Sequence, residues 1–536
     1  MRTDRYSLLR CRRLCAAALL LLGGAGPVAA ADNVLRIGNG AEPATLDPHK
    51  TETVDGSRIV RDLCEGLTAV SPSGETIPGA AERWEISADG LEYRFFLRPQ
   101  ARWSNGDPVT AEDFVAGMRR AVDPRTGSSY AQMLSPVVNA DAIINGKKPV
   151  AELGVEALDP HTFVIRLSGP TPYLLGLLSH TTTFPVHRPT LQQQGEQSFR
   201  PGRMVCNGAY RLEEWVVQSH VKLRRNPHYW DAADTRIETV VYYPTEDANS
   251  ELKSYRVGEL DVATGLPSVQ MPWIRKNLGA ELHIAPYLGI SYFGFNLTQP
   301  PFKDNLKLRM ALVLALDRDV LAKKLANGLA VPAYGWVPPG VSDYTPQQPE
   351  WAAWTQAQRL AEARRLYAEA GYSKEKPARF EIRYNTGDNN KRSAVVMAAM
   401  WKQWLGAEIT LVNEEWKVFL NTRKLKKKTQ LFRSGWIGDY NDATTFLDIM
   451  HSTHGQNDTG WSNPQYDRLL ARAAVETNPA ARREMLQEAE RILLSEMPMI
   501  PVTFYVSKSL VKPWVKQWQD NILDYHYSKD LRIEGH

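Results

Sequence analysis

Apolar and polar residues follow two different patterns along the chain, and the change falls at about Ile290. Before this position, short runs of alternating apolar residues are separated by turn residues, and they predict strands such as Glu92–Leu97 and Thr162–Leu167. After it, strands alternate with long helices, which is the pattern of an α/β domain with crossover connections. The chain therefore predicts an α/β lobe that faces a mixed lobe across a cleft, where ligands commonly bind.

Local signals place several of these elements. Thr110 with Asp113, and Thr355 with Gln358, have the spacing of a capping box at a helix start. Further apolar periodicity predicts one long helix over Leu306–Asn327, ended by Gly328, and an extended segment over Thr51–Val54 followed by a helix over Gly56–Gly66.

One strand ends in a carboxylate that could bind a ligand. Thr429–Trp436 has the composition of a strand, and Asp439 follows it in a turn formed with Gly438 and Asn441. Gly435 and Gly438 carry no side chain, so another backbone could approach them closely. This arrangement suits an extended ligand that pairs with the strand edge and ends in a positive charge. A buried strand followed by an ordinary turn is the alternative.

The first 31 residues predict a cleavable export signal. Five arginines precede a short apolar run, Leu14–Leu22, and small residues follow it, so cleavage is expected near Ala30 or Ala31. This segment has five arginines and one aspartate, a charge of +4, and the whole chain is also +4, so the mature chain is near neutral. A neutral chain is not attracted to nucleic acid. We expect a periplasmic protein without a nucleic-acid partner.

Cysteine and motif content limit the chemistry. Of the four cysteines, Cys64 and Cys206 remain after cleavage, and the sequence leaves open whether they form a disulfide. No clustered Cys/His spacing predicts a metal site, and we expect no cofactor. Motifs of serine hydrolases, zinc proteases and phosphate-binding loops are missing from the sequence. A secreted hydrolase that uses only a carboxylate pair stays open as an alternative.

Six segments, in order along the chain, resemble the family-5 extracellular solute-binding proteins, which are oligopeptide-binding components of bacterial ABC importers. They are Arg61–Leu67, Trp103–Phe114, Asn207–Tyr210, Asn226–Asp231, Leu316–Arg318 and Gly435–Tyr440. The resemblance implies an α/β fold of the periplasmic-binding-protein type, in which two lobes enclose the ligand and a smaller α+β lobe is inserted. The first lobe comprises residues 32–70, 189–289 and 506–536, the second residues 71–188, and the third residues 290–505.

The resemblance also implies a role for individual residues. Asp439 matches the carboxylate that holds a peptide's α-ammonium group. Two segments match those that pair with the ligand backbone on either side: Gly435, Trp436 and Ile437, and Glu52, Thr53 and Val54. The aromatic rings that line the site match Tyr130, Trp416, Trp436 and Tyr505. Arg433 and Arg423 match positions that reach towards the ligand's carboxylate, and Asn385 matches the loop that follows a strand of the third lobe.

The chain departs from the family's pattern at three places beside the expected site. Ile437 and Asn390 stand where relatives often have Cys and His, and the Lys424–Lys428 loop has one extra residue. We expect a monomeric receptor that delivers short peptides to an ABC permease. A receptor for a modified peptide, such as a murein tripeptide or a peptidyl-nucleoside antibiotic, is the alternative.

Overall fold

A computed structural model describes residues 33–326 and 330–535. The predicted export signal and the end of the predicted helix at Asn327 and Gly328 lie outside these residues. Within the described ranges, none of the helices combines the length and the apolar character needed to cross a bilayer.

Two of the α-helices begin at the capping boxes that the sequence predicts. Thr110 and Thr355 both form capping boxes, which confirms those two predictions. The α-helices are Val54–Leu63, Ala111–Val122, Ala140–Ile144, Leu174–Leu177, Arg188–Gln194, Ala248–Arg256, Met271–Asn277, Leu306–Leu314, Arg318–Ala326, Gln356–Glu369, Asp388–Leu405, Trp416–Leu425, Thr444–Leu447, Pro464–Ala473 and Pro479–Glu496.

Two predicted elements have different bounds in the structure. The long helix predicted from Leu306 is two helices, because Asp317 accepts a hydrogen bond from the backbone N–H of Val320 at 3.0 Å and starts a new helix. The extended segment predicted over Thr51–Val54 ends at Thr53. The Thr53 hydroxyl accepts from the Gly56 N–H at 3.2 Å and caps the helix that begins at Val54.

The strands form one large sheet and several small ones. They are Val34–Gly38, Thr68–Val70, Thr76–Pro78, Ala81–Ile86, Glu92–Leu97, Val155–Asp159, Thr162–Arg166, Tyr210–Val216, His220–Arg225, Thr239–Tyr243, Val262–Ala263, Leu282–Phe295, Val331–Pro332, Arg379–Asn385, Glu408–Glu414, Leu431–Ile437, Met499–Val511, Val515–Lys516 and Arg532–Ile533.

Two long strands hold the large sheet together. Leu282–Phe295 and Met499–Val511 pair antiparallel through its middle, with an irregularity between Pro286 and Ile290. The carboxyl half of Leu282–Phe295 pairs with Leu431–Ile437 and so joins the strands of residues 379–437. The carboxyl end of Met499–Val511 pairs with Val262–Ala263 and so joins the strands of residues 34–38 and 210–263. The same two strands therefore run through both halves of the molecule.

Three large hydrophobic cores lie around this sheet. The largest is built mainly from residues 288–504, the second from residues 67–178 around the sheet of Ala81–Ile86, Glu92–Leu97, Thr162–Arg166 and Val155–Asp159, and the third from residues 35–64, 184–262 and 511–533. These clusters follow the predicted division into lobes, whose boundaries stay a prediction.

Cys64 and Cys206 form the disulfide that the sequence left open, with their Cα atoms 5.1 Å apart. Cys64 lies at the end of the helix Val54–Leu63, and Cys206 precedes the strand Tyr210–Val216. The bond therefore fixes the end of a helix whose beginning lines the cavity described below.

Candidate functional site

A cavity of about 620 Å³ lies where the two long strands pass between the cores. This volume is in the range of roughly 300–1,000 Å³ that is typical of small-ligand sites. All but one of the residues expected from the sequence line it: Glu52, Thr53, Val54, Tyr130, Trp416, Arg423, Arg433, Gly435, Trp436, Ile437, Asp439 and Tyr505.

Asn385 is the expected residue that the structure does not bring to the cavity. It ends the strand Arg379–Asn385, and its side-chain amide donates to the carbonyl of Thr386 at 3.3 Å. Asn390 lines the cavity instead and donates to the Asn385 carbonyl at 3.3 Å. The side chain of Asn385 therefore binds within the turn that follows the strand and does not line the cavity.

The strand Leu431–Ile437 is paired along its whole length on one side only. Leu282–Phe295 pairs with each of its residues, whereas Arg379–Asn385 pairs only with Leu431 and Phe432. From Arg433 to Ile437 no strand of the described residues occupies the second edge, and these positions line the cavity. Alternate backbone N–H and C=O groups along this edge are therefore free to bind an extended chain.

Gly435 in this strand and Gly438 just after it lie against aromatic side chains of the protein, and the expected approach of a ligand backbone stays a prediction. A Cβ atom at Gly435 would lie 2.5 Å from the Tyr505 hydroxyl, and one at Gly438 would lie 3.1 Å from the Phe446 ring. The space beside both glycines is thus filled by aromatic side chains of the protein itself. Gly435 lets the Tyr505 ring lie over the sheet and form the cavity wall.

Asp439 lies just beyond the end of this strand, with 13% of its side chain exposed. Its backbone N–H donates to the Thr445 hydroxyl at 3.1 Å, which fixes the turn. Burial raises the pKa of Asp439 to about 7, against the opposing effects of the Thr445 hydroxyl and the Arg61 charge. Ionised Asp439 is therefore costly in the empty cavity.

Among the described residues, no cationic side chain lies within ion-pair distance of Asp439, and the charge of Arg61 acts on it from farther away. His180 Nε2 lies 3.4 Å from its carboxylate. Burial, together with the charge of the nearby Arg61, lowers the pKa of His180 to about 3, so the ring is neutral at ordinary pH. The contact is a hydrogen-bonding distance between neutral imidazole and carboxyl group, and it provides no compensating positive charge.

Three further residues complete this corner and were missed in the sequence: His180, Arg61 and Tyr525. The Arg61 guanidinium lies 3.8 Å from the centre of the Tyr525 ring, and the Tyr525 hydroxyl donates to the Asp439 carbonyl at 3.4 Å. The residues are far apart in the sequence, and no spacing pattern relates them. Only the folded chain brings them together.

Aromatic rings form the walls on either side of the strand. Tyr130 stacks on Trp436, with ring centroids 5.9 Å apart and planes inclined by 25°, and lies 4.9 Å from the His180 ring. Trp416 stacks on Phe419 at 6.3 Å and lines the cavity from the helix Trp416–Leu425. These walls are apolar surfaces against which ligand side chains of different shapes can pack.

The two arginines expected near a ligand carboxylate differ in availability. Arg423 is ion-paired with Asp458 and donates to the Ser434 hydroxyl at 2.9 Å, so its charge is already compensated. Arg433 donates to the Tyr505 hydroxyl at 3.1 Å and has no carboxylate partner among the described residues. Of the pair, Arg433 is the one whose charge is free to bind an anionic group.

Relatives of the chain are similar over nearly its whole length. It is 40% identical over 516 residues to the periplasmic oligopeptide-binding protein OppA of Escherichia coli, and the matched region covers 96% of this chain and 94% of OppA. It is 39% identical over 531 residues to the probable deoxycholate-binding periplasmic protein YgiS of the same organism, with 97% and 98% covered.

Two solved structures of relatives differ in how closely they match this chain. The Haemophilus influenzae OppA complex with the peptide RPPGFSPFR matches with a TM-score of 0.91 at 38% identity, covering 94% of this chain and 99% of that one. The unliganded open form of the periplasmic murein tripeptide-binding protein MppA matches at 35% identity, with 94% of this chain and 98% of that one covered, but with a TM-score of only 0.67. The arrangement of this chain is thus more similar to that of the peptide complex than to that of the open form.

The family description "Bacterial extracellular solute-binding proteins, family 5 Middle" matches residues 75–458, which is more than half of the chain. The expected α/β fold of the periplasmic-binding-protein type is confirmed by the structural matches. Proteins of this family are binding receptors, so the hydrolase alternative is wrong. The chain belongs to the family-5 extracellular solute-binding proteins of bacteria.

Proposed function

We propose that the protein is a periplasmic receptor that binds short peptides in extended form and delivers them to an ABC permease. The observation that carries this proposal is the strand Leu431–Ile437, whose free edge borders an enclosed cavity and ends beside the uncompensated carboxyl group of Asp439. A peptide supplies both missing partners, a backbone for the edge and an ammonium group for the carboxylate.

Backbone pairing gives affinity without reading the ligand's sequence. Each hydrogen bond between the edge at Arg433–Ile437 and a ligand backbone contributes a net stabilisation of roughly 0.5–1.5 kcal/mol, whatever the ligand's side chains. Glu52 and Thr53 precede the helix at Val54 and line the same cavity, where we propose that they pair with the other edge of the ligand.

The ammonium group of the ligand identifies its amino end. An ammonium enclosed against Asp439 compensates a charge that the protein leaves without a counter-ion. At the other end of the strand, the free charge of Arg433 provides a partner for a carboxylate. The site therefore suits a zwitterionic chain that lies along the strand.

The names of the relatives agree with this proposal in part. OppA is named as an oligopeptide-binding protein, and YgiS as a probable deoxycholate-binding one. Deoxycholate has a carboxylate but no ammonium group, so it would leave Asp439 without a partner. The corner at Asp439 and His180 favours the peptide.

A receptor for a modified peptide is the second candidate. MppA is named as a murein peptide-binding protein and is 35% identical over 498 residues. The segment Lys424–Lys428, where the helix Trp416–Leu425 ends, and Asn390 lie near the site and depart from the family's pattern, which supports a specialised ligand. Competition between a murein tripeptide and plain tripeptides separates the two candidates.

We also propose that the receptor is monomeric and is exported with cleavage near Ala30 or Ala31. The order of basic, apolar and small residues in the first 31 positions supports this export route. Amino-terminal sequencing of the mature protein and its mass in solution test these two points.

Isothermal titration with peptides of three to five residues tests the proposed function. We expect heat of binding with free peptides and a much weaker signal with amino-acetylated peptides of the same sequence. The acetylated series is the matched control, since it removes only the charge that Asp439 would bind. Absence of binding for every free peptide would refute the proposal. Mass spectrometry of small molecules released by denaturing the purified protein identifies the natural ligand.

A further inference from the structure

Glu52 lies in the wall between two cavities. Its side chain lines the main cavity and also a smaller neighbouring cavity of about 250 Å³. Lys424, from the helix Trp416–Leu425, lines only the smaller one. The carboxylate of Glu52 can therefore be reached by a ligand from one side and by Lys424 from the other.

Both oxygens of the Glu52 carboxylate already have donors from the protein. Lys424 Nζ donates to Oε1 at 2.6 Å, and the Ser129 hydroxyl donates to the same oxygen at 2.8 Å. Lys424 Nζ also donates to the Ser129 hydroxyl at 2.9 Å, and Gln456 Nε2 lies 3.4 Å from Oε2. The charge of Glu52 is therefore already neutralised by Lys424 in the ligand-free protein.

The cluster joins three separate parts of the chain. Glu52 precedes the helix at Val54, Ser129 comes from the region of the second core, and Lys424 comes from a helix beside the strand Leu431–Ile437. These parts meet in the arrangement that matches the peptide complex. The contact between Lys424 and Glu52 therefore belongs to the enclosed form of the site.

We propose that Lys424 determines the charge preference of the ligand site: by occupying Glu52, it makes this part of the wall accept neutral side chains and reject cationic ones. The inference rests on the proposed peptide-binding function. A ligand lysine or arginine at this place would have to compete with Lys424 for one carboxylate, and one of the two cations would be left without a partner. A neutral side chain meets no such conflict.

The test uses tripeptides based on Ala-Ala-Ala, with Lys or Gln placed at each position in turn, and isothermal titration at fixed pH and salt. In the wild type, the Lys peptide binds more weakly than the Gln peptide at the position that faces Glu52. In Lys424→Met the carboxylate is released, and the ratio of the two affinities shifts towards the Lys peptide by about tenfold or more.

Three control variants isolate the charge on Lys424. Lys424→Arg keeps the cation and should keep the wild-type ratio. Lys417→Met removes another lysine of the same helix and the same small cavity, which makes no ion pair among the described residues, and should also leave the ratio unchanged. Adding Glu52→Gln to Lys424→Met should abolish the gain for the Lys peptide.

The outcomes separate this inference from the proposed function. If Ala-Ala-Ala binds and the Lys/Gln ratios of Lys424→Met equal those of the wild type at every position, the role of Lys424 is refuted and the peptide receptor stands. If the wild type binds none of the tripeptides, both are refuted. Lys424→Gln, which keeps a polar side chain, replaces Lys424→Met if the latter fails to fold.

Discussion

The affinity for a peptide should depend on pH chiefly through the carboxyl group of Asp439, although Asp55, whose pKa burial raises to about 6, also lines the cavity. Burial raises the pKa of Asp439 to about 7 in the ligand-free protein, so at pH 5 the group holds a proton. A peptide ammonium group binds the ionised form and must displace this proton. His180, with a pKa of about 3, stays neutral throughout this range and does not obscure the effect.

The size of the effect follows from the pKa. Binding lowers the pKa of Asp439, so affinity is complete above pH 7 and is lost as the pH falls through 7. Two pH units below the pKa, the apparent dissociation constant is about 100-fold larger. Above pH 8 the α-amino group of the peptide, with a pKa of about 7.7–8.0, loses its charge and affinity falls again. The profile should therefore have a maximum near pH 7.5.

Isothermal titration of Ala-Ala-Ala from pH 5 to pH 9 measures this profile. Titrations at pH 6 in buffers of different ionisation enthalpy should show release of about one proton on binding. Asp439→Asn should remove the acid limb and weaken binding at pH 7.5 by about 3–5 kcal/mol, the usual cost of leaving one partner of a buried pair alone.

A matched control exists in the same part of the chain. Burial and the charge of Asp442 raise the pKa of Asp448 to about 7 as well, but Asp448 does not line the cavity. Asp448→Asn should keep the wild-type profile. An acid limb centred near pH 7 that survives in Asp439→Asn, or one that is lost in Asp448→Asn, would refute the assignment.

At neutral and alkaline pH, the ionised carboxylate of Asp439 should lower the stability of the ligand-free protein. Because folding raises the pKa of Asp439 from 3.8 to about 7, its contribution to stability is complete below pH 4 and is lost as the pH rises to 7. A shift of about 3 units corresponds to an upper bound of about 4 kcal/mol. Asp439→Asn should therefore raise the unfolding temperature of the ligand-free protein at pH 8, measured by calorimetry.

Three further perturbations give distinct results. Gly435→Ala places a Cβ atom 2.5 Å from the Tyr505 hydroxyl, so it should weaken peptide binding, and Tyr505→Phe in the same chain should restore part of the loss in titrations. Arg423→Met leaves Asp458 buried without its partner and should lower the free energy of unfolding by about 3–5 kcal/mol in denaturant titrations, whereas a loss of binding with unchanged stability would contradict the pairing. Reduction of the disulfide at Cys64 should lower stability by about 2–4 kcal/mol in calorimetry with and without reductant, and an unchanged unfolding temperature would contradict its structural role.

Local signals in the sequence were enough for the elements that depend on local chemistry. The capping boxes at Thr110 and Thr355 mark helix starts because donor and acceptor lie three residues apart. The strand before Asp439 could be predicted from its composition and its flanking turn, and its observed bounds are Leu431–Ile437. The position of Asp439 at the strand's end follows from chain order alone.

Features that depend on distant contacts could not be predicted in this way. Leu282–Phe295 contains Pro286, which argues against a continuous strand, yet the irregularity beside Pro286 accommodates it. The neutral state of His180 depends on its burial next to Arg61, and the pairing of Arg423 depends on Asp458. Such contacts are set by tertiary packing, and the resemblance to a family gave the position of Arg423 without its partner.

A comparison with other buried carboxylates of the chain shows why we assign ligand binding to Asp439. Asp47 is held by Arg120 at 2.6 Å, and Asp442 by Arg482 at 2.9 Å, so these carboxylates have partners from the protein itself. A raised pKa does not by itself mark a binding site, since Asp448 has one outside the cavity. Asp439 alone among these carboxylates combines a missing counter-ion with a place in the cavity wall and a free strand edge beside it. The unpaired charge and the unpaired edge each cost stability in the ligand-free protein, and a ligand with an ammonium group and an extended backbone relieves both in one step.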